Sequence, residues 1–374
     1  MPDNESPSLD ILGLRGIPAK HGGFETFAEH LALYLVGKGW KVRVYCQEQG
    51  EEKSYEDTWN GVQLVHIPVR QGGSIGTIIF DWLSICHSIR NPATKLTLGY
   101  NTAVFNIVTR LAGKTNLINM DGIEWRRGKW SRPVQAWFYV NERIGCLVGN
   151  HLVADHPEIE NHLATRVDRT KITMIPYGAD PVESARVEVL QQFGLPADGY
   201  AIIIARPEPE NSILEIVQAF CRSPRQHKLV VLGTYRPEEN SYHKKIQDTA
   251  NPDVIFPGAI YEKETLNALR YFARVYIHGH QVGGTNPSLV EALAAGSPVL
   301  AHDNKYNRWV AGDGAEFFSS MEDCAEKLTT LFGDDAKTTQ MKQASRDQYQ
   351  LRFTWETVLS RYEELLLKGV NGRL

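Results

Sequence analysis

Short runs of Val, Ile and Leu alternate with longer amphipathic stretches almost from one end of the chain to the other. In the first half the apolar runs predict strands at Leu9–Leu14, Val42–Cys46, Val62–Ile67, Lys95–Leu98, Asn116–Asn119, Leu147–Ala154 and Lys171–Ile175. Between several of them apolar residues recur at helical spacing, as in Phe24–Val36 and Val104–Ala112. The second half repeats the rhythm, with strands predicted at Tyr200–Ile204, Lys228–Leu232, Val254–Phe256, Val275–Ile277 and Pro298–Ala301. Continuous apolar strands need cover on both faces, and intervening helices supply it, so the pattern predicts parallel α/β sheets. Proline and glycine punctuate Tyr177–Glu183 between the two series. The expectation is two Rossmann-like domains, 1–180 and 181–354.

Composition narrows the function without choosing it. With 374 residues the chain is long enough for two domains that each bury a core. Its 40 basic and 44 acidic residues leave a formal charge of −4, and neither half carries a marked excess. That argues against a nucleic-acid binder relying on a strong basic field. Five scattered cysteines with no C-x-x-C pair predict free thiols in a reducing compartment. Met1–Ser8 is polar and acidic, unlike a secretory signal. The apolar stretch Ser74–Ile85 is interrupted by Asp81 and falls short of the ~20 residues a membrane span needs. A cytoplasmic protein is expected, with contact at the cytoplasmic face of the inner membrane left open.

In open α/β sheets ligands bind beyond the carboxyl ends of the strands. Three such loops carry chemistry. GLRGIPAKHGGFETF (13–27) leads from the first strand into the first helix, where Gly22 and Gly23 let backbone amides approach an anion. A tight turn explains the glycine pair equally well; Arg15, Lys20 and His21 beside it tilt the reading toward an anion. The spacing is not G-x-G-x-x-G, so the dinucleotide fingerprint is absent.

HQVGGTNPSLVEALAAGSPV (280–299) is more specific. Gly283, Gly284, Thr285 and Asn286 precede Pro287 at a helix start, so the amides of 284–286 suit a phosphate. Glu291, about one turn on, can accept hydrogen bonds from sugar hydroxyls; the alternative is an exposed helical glutamate. In ARPEPEN (205–211), Arg206 offers a planar fork suited to a diphosphate, or a surface ion pair with Glu208 or Glu210.

A fourth candidate is NMDGIEWRRGKW (119–130). Asp121 follows a strand and can orient or deprotonate a hydroxyl, or merely cap the next turn. Glu124, Arg126 and Arg127 stand beside it. The basic residues here, with Lys129, Arg132 and the tryptophans 125, 130 and 137, suit an anionic membrane or a lipid pyrophosphate; a solvated face over core tryptophans is the alternative. His278 and His280 lack a third ligand or a D-x-D motif, so no metal is expected.

Taken together, these loops resemble the retaining GT-B glycosyltransferases of family 4. The resemblance rests on SLVEALAAGSPV (288–299), IPYGAD (175–180), FPGAIY (256–261) and the terminal run from FTWET (353–357) to Leu367. The opening RGIPAKHGGFETF (15–27) is similar to bacterial rhamnosyltransferases that use dTDP-β-L-rhamnose to begin polysaccharides on lipid-linked sugars. The resemblance implies a GT-B fold with parallel sheets facing across a cleft, and a terminal helix (355–374) crossing back to an acceptor-binding first domain. It implies a metal-independent, retaining transferase without a cofactor, taking a nucleotide sugar as donor and a saccharide or lipid-pyrophosphate-linked acceptor. Catalytic roles fall on Asp121 and Arg206. Donor contacts fall on Gly22, Gly23, Ile260, Gly283, Gly284, Thr285, Asn286 and Glu291, and acceptor contacts on Glu124, Arg126 and Arg127. Two positions depart from the family pattern: Gly283 stands where the first of two glutamates is usual, and Asn211 where a lysine is usual. A different donor such as a UDP-hexose, or a degenerate subunit that binds without transfer, are the alternatives those departures raise.

Overall fold

The computed structural model describes residues 6–19 and 22–374. Two units result: residues up to Pro176 with Trp355–Leu374, and Tyr177–Thr354. The first unit opens with β1 (Ser8–Leu12), α1 (Gly23–Gly37), β2 (Lys41–Gln49), β3 (Tyr55–Trp59) and β4 (Val62–Val69). It continues through α2 (Gly73–Ser88), β5 (Thr94–Leu98), α3 (Asn106–Leu111), β6 (Asn116–Asn119) and α4 (Arg132–Val148). β7 (His151–Ala154), α5 (Pro157–Leu163) and β8 (Ile172–Met174) complete the strand order β3-β4-β2-β1-β5-β6-β7-β8.

All neighbours in this sheet run parallel except β3, which folds back on β4 across Asn60-Gly61. Both turn residues have positive φ (46° and 82°), the geometry of a two-residue hairpin. Alternating burial did not reveal β3 in the sequence because four of its five residues are exposed at the sheet edge. The apolar run Leu147–Ala154 also splits. Leu147 and Val148 finish α4, and the strand begins only at His151, after Gly149 has closed the helix on the Gly145 carbonyl.

At the centre of the sheet Asp10 on β1 accepts from Lys95 on β5 at 2.8 Å and from Arg43 on β2 at 3.1 Å. Asp10 and Lys95 are almost wholly buried, and burial pulls the Lys95 ammonium down against the opposing pull of Asp10. Removing one partner would strand a charge, so the pair ties the register of three strands.

The second unit contains β9 (Tyr200–Ile204), α6 (Ile213–Cys221), β10 (Lys228–Leu232), α7 (Ser241–Thr249), β11 (Val254–Gly258) and α8 (Lys263–Tyr271). β12 (Val275–His278), α9 (Pro287–Ala294), β13 (Val299–His302), α10 (Lys305–Ala311), β14 (Glu316–Phe318), α11 (Met321–Gly333) and α12 (Asp335–Arg352) follow. Its all-parallel order β11-β10-β9-β12-β13-β14 is that of a doubly wound nucleotide-binding sheet. Alternate strand residues feed two cores: Tyr200, Ile202 and Val230 pack on one face, Ala201, Ile203 and Val231 on the other.

The break at Pro176/Tyr177 falls slightly before the expected 180/181. Ala179 explains it. Its N–H bonds to the Phe353 carbonyl at 3.0 Å, its carbonyl accepts from Tyr349 at 2.9 Å, and it bridges to Thr354. The chain then returns as α13 (Trp355–Val370), which packs on the first unit. Tyr362 lies 4.6 Å ring to ring from Phe27 and accepts from Asn119, while Glu363 accepts from Tyr34 at 2.9 Å.

Asp81 is a buried carboxyl on α2, and burial pushes it up to about 6 although Thr102 donates to it at 2.7 Å. Its protonated form suits the fold, so its contribution is fully present below about pH 4 and is lost as pH rises through about 6. Asp81→Asn should therefore be more stable than the parent at pH 7.5, by on the order of 1–3 kcal/mol. The difference should shrink toward zero near pH 4. Parallel denaturation curves at the two pH values check this; a pH-independent difference contradicts it.

Candidate functional site

In the second sheet the strand order reverses between β9 and β12. α6, which follows β9, covers one face; α9, which follows β12, covers the other. The two strand-end loops leave toward opposite faces, the arrangement at which α/β sheets take their ligands beyond the carboxyl ends of the strands. The loops of Arg206 and of 279–286 are the two that meet there.

They are sewn together at their bases. Ser212 donates to the Gly279 carbonyl at 2.8 Å, Gln281 donates through its side chain to Ser212 at 2.9 Å, and its backbone N–H bonds to the Glu210 carbonyl at 2.9 Å. A Cβ on Gly279 would stand 2.2 Å from the Asn211 carbonyl oxygen, so only glycine permits this approach. Ser212 itself holds a left-handed φ of 51°. Strain of this kind persists only where the surroundings enforce it.

Arg206 is exposed at the lip of the first loop. Its carbonyl accepts from the buried Asn211 amide at 2.8 Å, so the residue that replaces a lysine closes the turn rather than offering charge. On the second loop, Asn286 caps α9 by accepting from the Ser288 N–H at 3.0 Å, and Pro287 brings no N–H. Any amide left for an anion therefore lies in Gly283–Asn286. Gly283 has φ of 138°, and the place of its missing Cβ is open space. Ile260 lies half-buried after β11, packed on the core of this unit.

Glu291 is not a freely solvated helical glutamate. One of its oxygens is ion-paired with Arg270 of α8, whose side chain is only 5% exposed. The Arg270 Nε is buried without a hydrogen-bond partner, so Glu291 is the compensating charge. Nothing in the sequence pointed to Arg270: it sits in an ordinary amphipathic helix, and its partner is 21 positions away.

The other glycine loop belongs to the first unit, between β1 and α1. Gly22 and Gly23 do begin the helix, but the chain supplies its own anions there. Glu25 accepts from the Arg15 N–H at 3.1 Å, and Glu29 accepts from the Ala19 N–H at 2.5 Å. Within this loop, Glu25 also stands beside Gly22, where an added Cβ would lie 2.1 Å from its carboxylate oxygen. Lys20 and His21 lie outside the described residues.

Asp121 follows β6 with a left-handed φ of 49°, its N–H bonded to the Asn119 side chain at 3.0 Å. Burial, reinforced by the nearby Glu124 carboxylate, pushes its carboxyl above the usual range; the Gly122 N–H and Arg127 oppose the rise. Glu124 and Arg127, expected on the acceptor, are paired with each other at 2.7 Å. Glu124 also accepts from the Trp130 indole at 2.9 Å. Trp125 turns inward onto Glu142 at 2.6 Å, while Arg126 remains exposed and stacks over the Trp125 ring. Burial alone would raise Glu142, but hydrogen bonds from His162, Trp125 and Arg166 hold it below the usual range. Arg127, Trp125 and Trp130 of the expected docking stretch are therefore tied into the scaffold of the Asp121 loop.

His278 and His280 stack at 4.2 Å, and burial holds His278 well below its ordinary range, as a neutral ring. Among the described residues no three His, Cys, Asp or Glu side chains gather as a metal site.

Residues 190–348 match the family described as Glycosyl transferases group 1. That match lies within the second unit, and the chain as a whole has the two-domain α/β fold of GT-B proteins. Residues 8–180 match a domain of unknown function (DUF1972). Sucrose-phosphate synthase from Thermosynechococcus elongatus shares its fold at a TM-score of 0.80 and 17% identity, over 97% of this chain and 98% of that one. Anabaena HepE in complex with UDP and glucose matches at 0.75 and 15% identity, over 96% and 99%. The trehalose 6-phosphate synthase of Burkholderia multivorans matches at 0.77 and 11%, over 98% and 97%. No curated protein matches the sequence.

If Arg270 and Glu291 act as one unit, a double-mutant cycle with Arg270→Gln and Glu291→Gln should show coupling on the order of 1–2 kcal/mol, since Glu291 is partly solvated. Chemical denaturation of the four proteins checks it. Additive effects would mean the pair does not hold Glu291.

Proposed function

We propose that this chain is a glycosyltransferase that moves L-rhamnose from dTDP-β-L-rhamnose onto a saccharide carried on a lipid pyrophosphate, in cell-surface polysaccharide synthesis, with retention of configuration and no metal ion. The carrying observation is the β9/β12 reversal, with Arg206 on the loop after β9, Gly283–Asn286 on the loop after β12, and Glu291 held by Arg270. A guanidinium fork and helix-entry amides suit a diphosphate. The second oxygen of Glu291 suits a hydroxyl of the nucleotide's pentose, and Ile260 offers an apolar edge to the base. The UDP and glucose held by HepE support a nucleoside diphosphate sugar as the donor class. Gly283, with open space in place of a carboxylate, fits a 6-deoxy sugar that presents one hydroxyl fewer.

In this reading the acceptor oxygen attacks the anomeric carbon on the face from which the diphosphate departs. The C–O bond to phosphate breaks, and the acceptor proton passes to the departing phosphate oxygen. Arg206 stabilises the charge that develops there. Asp121 orients the acceptor hydroxyl; its raised proton affinity makes it a better acceptor of that hydrogen bond. Arg126 is the cation left exposed for an anionic acceptor, and the Glu124–Arg127 pair holds the loop.

A panel of nucleotide sugars should show acceptor-dependent nucleotide release with dTDP-rhamnose above UDP-hexoses, unchanged by EDTA. Dependence on added magnesium or manganese contradicts the metal-free reading, and release from no donor contradicts transfer altogether. Arg206→Ala should lower turnover by on the order of 2–4 kcal/mol in the transition state, and Glu291→Gln should weaken nucleotide binding.

Asp121→Asn should retain donor binding but lose roughly 10²–10⁴-fold in transfer. The parent's acid limb should lie above the ordinary carboxylate range and vanish in the variant. NMR of the product should show a β linkage from a β-linked donor; an α linkage overturns retention.

A further inference from the structure

Three helices of the first unit carry an outward face that the transfer reaction does not use. α3 packs against both α2 and α4, and Trp82 of α2 meets Phe105, just before α3, at 5.3 Å ring to ring. Seventeen large apolar side chains are exposed among the described residues, and ten lie on these helices: four on α2, two on α3 and four on α4. On α2, Ile75, Ile78 and Trp82 recur at helical spacing along one stripe. Leu111 ends α3 at 82% exposure and Leu147 stands near the end of α4 at 76%, with Trp137 and Val140 on the same outward side.

The charges on this segment are one-sided. Residues 73–148 hold nine basic and four acidic side chains, although the whole chain is acidic. None of the four carboxylates is exposed, whereas Arg90, Arg110, Arg132 and Arg143 are, besides Arg126 on the acceptor-side loop. Arg143 lies over the Tyr139 ring at 4.5 Å, as Arg126 lies over Trp125. The exposed charges here are thus all arginines, set among exposed aliphatic and aromatic side chains.

We propose that the α2–α3–α4 face docks on the surface of an anionic phospholipid bilayer, with its apolar side chains entering the interface and its arginines on the headgroups. No helix of the described residues is long and apolar enough to cross a membrane, so the contact is peripheral. A second copy of the chain is a poor occupant, because a two-fold contact through this face would set arginine against arginine. An anionic, deformable, apolar-cored surface satisfies both features at once. The sequence led to the 125–137 stretch as the docking element. The structure turns Trp125 and Trp130 inward and moves the exposed apolar area to the three helices. This inference stands apart from the donor reading, since membrane binding is read without transfer.

The full chain should co-sediment with vesicles of phosphatidylcholine and phosphatidylglycerol, bind phosphatidylcholine alone far less, and be released by salt. Leu111→Glu and Leu147→Glu, at positions too exposed to unfold the protein, should each weaken vesicle binding on the order of ten-fold. Leu351→Glu, an equally apolar exposed position in the second unit, should leave it unchanged. Nucleotide binding, measured by calorimetry on the same variants, should be unaffected, which separates failure of this proposal from failure of the donor site. Undiminished binding by both variants, or absence of binding by the parent, overturns the proposal. A fall in the solution mass of Leu147→Glu would overturn it too, by showing that a second copy covers the face.

Discussion

The reversal of strand order between β9 and β12 is the constraint on which the candidate donor site depends. A parallel strand must hand its chain to a helix on one face or the other, and where successive choices differ the loops cannot pack side by side. Here β9 sends α6 to one face and β12 sends α9 to the other. The gap is fixed by backbone topology before any particular side chain is considered. Ser212, Gln281 and the glycine at 279 then set its width, because they join the two loops at their roots and leave the tips apart.

Electrostatics divides the two glycine-rich loops. Both lead from a strand into a helix, and both present helix-entry amides. In the first unit Glu25 and Glu29 occupy amides of the loop, so the local field is already answered by the chain. In the second unit the first turn of α9 carries no acidic residue, and the nearest carboxylate, Glu291, is balanced by Arg270. The same backbone device thus carries carboxylates of its own in one place and none in the first helical turn in the other.

Much of this was legible in the sequence because parallel sheets write themselves as uninterrupted Val/Ile/Leu runs. The six strands β9–β14 were legible except Glu316–Phe318, which is too short and too polar to stand out. The edge strand β3 was obscured by its exposure, though Asn60-Gly61 is a hairpin signal that stood in plain view. At the site, Arg206 and Glu291 were legible as side chains at strand and helix ends. Arg270 was not, because an ion pair between two helices leaves no trace in local spacing. The inward turn of Trp125 was hidden for the same reason: its partner Glu142 lies on α4, 17 positions away.

The central claim is that a nucleoside diphosphate binds at the β9/β12 reversal. Amide hydrogen exchange of the whole chain, with and without dTDP, tests it most directly. The account predicts slowed exchange in 205–212 and 279–291, with 13–19 and 22–25 unchanged. Slowed exchange in the first-unit loop, with 205–212 and 279–291 unaffected, would contradict it.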